Sequence, residues 1–200
     1  VGPRRRPLTD PVRLARAPRD GYFEGSVPSA RVGSRYFVQL GDSDHDWYPD
    51  PASRFQPYGP HGPSEVVDPT YTWHHDGWRG LTTEAPVIYE LHIGTFTLEG
   101  TFLAAARELP ALAELGISTI EILPLSEFPG RFGWGYDGVL PFAPSHTYGR
   151  PEDLRAFIDA AHWLGLAVIL DVVYNHFGPD GCVVQHFAPQ FFSDHPTEWG

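Results

Sequence analysis

Asp171, Asn175 and His176 fall within one run of six residues, DVVYNH. An acid, an amide and an imidazole this close can hydrogen-bond a ring of hydroxyls, and a sugar offers such a ring. A second cluster, GWGYDG at 133–138, sets Tyr136 and Asp137 between glycines. A tyrosine ring can stack on the apolar C–H face of a sugar while its hydroxyl stays in water, and Asp137 can accept from a sugar hydroxyl. Gly135 and Gly138 let the backbone bring that ring close. The same residues have plainer uses. Asp171 can cap a turn and His176 can be a satisfied structural histidine. Trp134 reads as a packed core ring, and Tyr136 fits either role. His92, Asp171 and His176 have no HExxH or CxxC spacing, so no metal is expected. HIGTF, after the first parallel strand, has one glycine where a dinucleotide site needs several, and no cofactor is expected.

These groups need a scaffold, and the texture of the chain supplies one. VIYELHIG (87–94), ISTIEILPL (117–125) and LAVILDVVYNH (166–176) read as strands, the third ending near Val172 or Val173. Between them, TFLAAARELPALAELG and GRPEDLRAFIDAAHWLG have helical spacing, closed by Gly116 and Gly165. In the second helix Pro151 suits the first turn, and Glu152 and Asp153 suit its positive end. Strands alternating with helices imply a parallel sheet, the start of a (β/α)8 barrel or of an open doubly wound sheet. His92, the loop after the second strand, and Asp171 with its neighbours then fall at the carboxyl ends of strands, where such folds place ligands.

Upstream the texture differs. GYFEGSVP and SRYFVQLGD alternate aromatic and polar residues between turns and predict two or three short antiparallel strands. From residue 43 to 85 the chain is crowded with Pro, Gly and rings and has no sustained period, as an ordered linker pinned across a surface by its aromatics. The expected division is therefore 1–42, 43–85 and 86–200.

Composition removes several function classes. Against 25 acidic residues there are 14 Lys and Arg, giving a net charge of −11. No basic face exists for nucleic acid beyond the RRR at 4–6, which reads as a solvated patch. No run approaches the ~18–20 apolar residues of a membrane span. Cys182 is the single cysteine, so no internal disulfide can form, which is compatible with a cytoplasmic location. It sits in FGPDGCVV and reads as an ordinary small residue rather than a nucleophile. Val1 is not an initiator, which points to a chain truncated at its start.

IYELHIGTFT, GISTIEILPL, GWGYDGV, YGRPEDLRAFIDAAHWLGLAVILDVVYNH and FGPDG together resemble the α-amylase superfamily of glycoside hydrolases. The Pro-rich stretch at 48–69, GWGYDGV and the closing DHPTEWG are similar to the branch acting on trehalose-terminated maltooligosaccharides. The resemblance implies the first three strands of a (β/α)8 barrel, preceded by the end of an immunoglobulin-like β-sandwich. It implies cleavage of the α-1,4 bond next to the terminal trehalose of a maltooligosyltrehalose, or action on another α-glucan. By its motifs, Tyr136 stacks on the sugar before the scissile bond and Asp137 lines the same subsite. Asp171 supports the catalytic centre, and Asn175 and His176 form the partner pair, His176 touching hydroxyls of that sugar. Some calcium-dependent relatives bind the ion at the Asn175 position, but no further ligands accompany it here. Retaining hydrolysis uses two carboxylates about 5–5.5 Å apart, which the resemblance puts on later strands; nothing here matches either. The chain is thus expected to be a fragment, cut at both ends and inactive alone. The alternatives are a glucan branching enzyme and a non-catalytic glucan-binding module.

Overall fold

The computed structural model describes residues 11–19, 21–41 and 47–193. The RRR run at 4–6 and the closing stretch at 194–200 lie outside the described residues.

The first part is held by short antiparallel pairs. β1 (Ala15–Arg16) pairs with β2 (Phe23–Glu24). β3 (Arg35–Tyr36) and β4 (Val38–Gln39) pair with later segments, β6 (Ser64–Glu65) and β5 (Trp47–Tyr48) respectively. Side chains reinforce these pairs. Tyr36 donates to Asp50 at 2.8 Å, and buried Gln56 donates to Ser64 at 2.7 Å. Glu65, also buried, takes Arg150 at 2.8 Å and Arg35 at 3.7 Å, so it ties this part to the helical part.

The second part is the parallel unit. β7 (Ile88–Leu91) leads through the short α1 (Ile93–Phe96) and α2 (Phe102–Glu114) to β8 (Thr119–Ile122). Thr101 caps α2 by accepting from the Ala104 amide at 3.2 Å, and Gly116 ends it with φ +94°. β9 (Ser126–Glu127) and β10 (Leu140–Pro144) then form an antiparallel ribbon that carries residues 128–139 as an excursion. α3 (Pro151–Trp163) follows, its first turn fixed by Asp153, which accepts from the Arg150 amide at 2.8 Å. β11 (Ala167–Leu170) completes the sheet, and a short α4 (Val184–Phe187) lies beyond it.

β7, β8 and β11 pair in parallel, with β8 in the middle, and Leu91, Ile122 and Leu170 lie in register. Side chains alternate across a strand. Tyr89, Leu91, Ile120, Ile122 and Val168 meet Phe102, Leu109 and Phe157 of the helices in the main core. β11 stops at Leu170, short of the predicted Val172 or Val173, although the Asp171 amide still donates to the Ile122 carbonyl at 2.9 Å. The chain turns there because its next contacts lie on the excursion, where the Gly178 amide donates to the Gly138 carbonyl at 3.2 Å.

Candidate active-site face

At the carboxyl ends of the strands the excursion folds back over the sheet, and its glycines make this possible. Gly135 has φ +96°, and a Cβ there would stand 2.3 Å from the Pro124 carbonyl oxygen. A Cβ at Gly138 would meet Ser126 at 2.6 Å, and one at Gly178 would meet the Asp137 carbonyl at 2.3 Å. The bare backbone is needed for packing against the sheet end as well as for presenting a ring.

Sequence-predicted residues converge here. His176 Nε2 stands 2.9 Å from the Tyr136 carbonyl, and His176 Nδ1 stands 2.7 Å from the Asn175 amide nitrogen. A carbonyl only accepts, so Nε2 carries the hydrogen and Nδ1 accepts from Asn175. Asn175, His176 and Tyr136 are thus one chain of hydrogen bonds, with all three side chains exposed. Asp137 is exposed beside them and meets Gly178 through its backbone. Asp171 is half-buried at the end of β11 and is held through its amide.

Trp134 corrects the expectation of a core ring: it is 74 % exposed. The hydrophobic demand of the loop is met instead by Phe128, which is 2 % exposed and underlies Gly133. A cavity of about 300 Å³ is lined by His92, Thr95, Phe132, Trp134 and Tyr148 among others; neither Tyr136 nor His176 borders it. Among the described residues, no group of three or more His, Cys, Asp or Glu side chains could hold a metal ion. No helix among them is long and apolar enough to cross a membrane.

Two features under this face go beyond what the sequence singled out. Glu127 is fully buried, accepting from the His146 amide at 2.9 Å, from the Phe128 amide at 3.2 Å and from the His146 ring at 3.0 Å. Its hydrogen bond is the main cause that raises the His146 pKa, with burial opposing and the carboxylate charge adding. His92, considered from sequence as a strand-end residue and as a metal ligand, instead reaches across to the excursion through the Gly133 carbonyl at 2.9 Å. Nothing in the spacing of 92 and 133 announces that contact.

The comparisons agree with this architecture. The family model described as alpha amylase, catalytic domain, matches residues 67–190. A malto-oligosyltrehalose trehalohydrolase of Saccharolobus solfataricus is 48 % identical over 180 residues, 90 % of this chain and 32 % of that protein. One from Deinococcus radiodurans is 50 % identical over 182 residues, 90 % of this chain and 30 % of that protein. A crystal structure of a Salmonella typhimurium protein titled an alpha amylase superposes with a TM-score of 0.86 at 51 % identity, covering 94 % of this chain and 32 % of that one. The chain thus spans about a third of the length of the curated relatives it matches. With the parallel β/α unit, the strand-end polar cluster and the matched catalytic-domain model in agreement, the chain belongs to the α-amylase family.

Proposed function

We propose that this chain is part of a glycoside hydrolase that cleaves the α-1,4 bond next to the terminal trehalose of a maltooligosyltrehalose, releasing trehalose. The observation that carries the reading is the Asn175–His176–Tyr136 hydrogen-bond chain on the active face. It brings together an aromatic residue of the excursion and two polar residues of the segment after β11, the residue types that a sugar ring with one apolar face and a rim of hydroxyls requires. The identity to two trehalohydrolases supports the substrate.

Tyr136 stacks on the sugar preceding the scissile bond, and Asp137 lines the same subsite. His176 meets the hydroxyls of that sugar by sharing its Nε2–H between the Tyr136 carbonyl and a hydroxyl oxygen, while Asn175 occupies Nδ1. Asp171 supports the catalytic centre from the end of β11. The bond-breaking carboxylates, placed about 5–5.5 Å apart for retention, belong to later barrel strands of the longer protein. Residues 1–42 are the end of an immunoglobulin-like sandwich, 43–85 is the ordered linker, whose β5 and β6 pair back onto β4 and β3, and 86–200 opens the barrel. The enzyme works in the cytoplasm on α-glucan and needs no nucleic-acid or membrane partner.

Product analysis of the full-length protein with a maltooligosyltrehalose tests this. Free trehalose with a shortened maltooligosaccharide is the expected outcome. New α-1,6 branches on amylose without trehalose would make it a branching enzyme, and binding without turnover would make it a glucan-binding module.

A further inference from the structure

His92 sits at the end of β7 and belongs to none of the roles above. Its Nε2 faces the Gly133 carbonyl at 2.9 Å and the Tyr148 hydroxyl at 3.1 Å; its Nδ1 faces the Thr95 hydroxyl at 3.1 Å. The carbonyl fixes the hydrogen on Nε2, which leaves Nδ1 to accept from Thr95. This is the same tautomer and the same type of acceptor as at His176. The backbone of 133–136 is therefore held at both ends by a histidine Nε2–H: His92 at the Gly133 carbonyl and His176 at the Tyr136 carbonyl. The two histidines lie on the segments that follow the two outer strands, β7 and β11, with β8 between those strands.

The surroundings are shaped for the His92 ring. A Cβ at Gly94 would stand 2.9 Å from His92 Cε1 and 2.9 Å from Tyr148 Cε1, so only glycine leaves room for both rings there. Tyr148 is buried and meets His92 edge-on at 5.8 Å between centroids. Its hydroxyl pKa is raised to about 12 by burial and then by the charge of Glu127, so it stays neutral beside the imidazole.

We propose that His92 is a positioning residue for glucan hydrolysis: it fixes the Gly133 end of the loop so that the Tyr136 ring stands at a constant height over the sugar. This rests on the reading of Tyr136 as a sugar platform. Stacking of that kind acts on bound substrate and transition state alike, so loosening it falls mainly on KM.

The test uses the full-length protein with His92→Phe, His92→Asn and His92→Gln, on any α-glucan the unmodified enzyme hydrolyses. Phe keeps the ring but cannot donate; Asn donates but is too short to reach; Gln donates at nearly the same reach. Loss of one hydrogen bond predicts that Phe and Asn lower kcat/KM by about fivefold to tenfold, mostly through KM, and that Gln stays within about threefold. Amide hydrogen exchange of residues 131–138 should quicken in the Phe and Asn variants and not in Gln. Phe or Asn matching the unmodified enzyme, or Gln falling as far as Phe, overturns the proposal. Unchanged exchange in the Phe variant overturns it too, whatever the substrate proves to be. Absence of trehalose among the products counts against the proposed substrate and leaves this comparison intact.

Discussion

Glu127 is an acid with no exposed surface, and the structure surrounds it with donors rather than water. Two backbone amides and the His146 ring share its two oxygens. This matters for pH. The His146 pKa is raised above its unfolded value of 6.5. The stability it contributes is therefore fully present below about pH 6.5 and is lost as pH rises through the raised folded value. Denaturant melts between about pH 6 and pH 9 should show that decline. Glu127→Gln should flatten it and cost about 1–3 kcal/mol at the acid end, because one buried charged hydrogen bond is lost. Equal slopes in the two proteins would remove Glu127 as the cause. Tyr136, Asn175 and His176 could be picked by side-chain type, because their types are what a sugar contact demands. Their mutual bonds run through the Tyr136 carbonyl, which every residue possesses, so nothing in the letters marks the acceptor.

α3 has two faces with different duties. Leu154, Phe157, Ile158 and Ala161 pack on the sheet. Arg155, Asp159 and His162 recur at helical spacing on another face and receive the segment 68–78. Arg155 donates to the Asp68 and Thr70 carbonyls, each at 3.2 Å. Asp159 accepts from the His74 amide at 3.0 Å, the His75 amide at 3.2 Å and the His74 ring at 2.6 Å. Trp78 stacks on His162 at 4.5 Å. Burial pushes the Asp159 carboxyl upward in pKa, and the His74 contacts with the His75 amide more than offset it. Asp159→Ala should cost about 1 kcal/mol, the net worth of hydrogen bonds whose donors, on exposed His74 and half-buried His75, can turn to water. It should also open 71–78 to limited proteolysis; an unchanged cleavage pattern would mean the rings alone hold the segment. Helices and parallel strands were legible because capping and period are local signals. α2 starts at Thr101 and stops at Gly116 for reasons written within a few residues. The ring-rich segment was legible as pinned, but not the surface receiving it, because His74 and Asp159 are far apart in sequence and no period links them.

Among the described residues, the parallel sheet is covered on one face only. Alternation puts Ile88, Glu90, Glu121 and Ile169 on the face away from the helices. Glu90 and Glu121 are register partners, and Ile88 and Ile169 are 49 % and 41 % exposed. Like charges on neighbouring strands repel, and parallel sheets are ordinarily buried on both faces. On the helix side Leu170 is also 49 % exposed, since α2 and α3 cover the β7–β8 and β8–β11 crossings and leave the far flank of β11 bare. Among the described residues, both outer strands present unpaired edges. A closed barrel of about 250 residues buries such a face and abolishes such edges. The 200-residue chain alone should therefore bind a hydrophobic dye, self-associate on size exclusion and hydrolyse no α-glucan, while the full-length protein does the reverse on each count. Dye binding and association follow from the bare face; inactivity follows from the proposed placement of the carboxylate pair on later strands, so the two can fail separately. A monomeric, dye-silent chain would mean that the open face is tolerated. Turnover by the chain alone would mean that acids already on this face, with Asp171, Glu90 and Glu121 the first to substitute, carry out the hydrolysis.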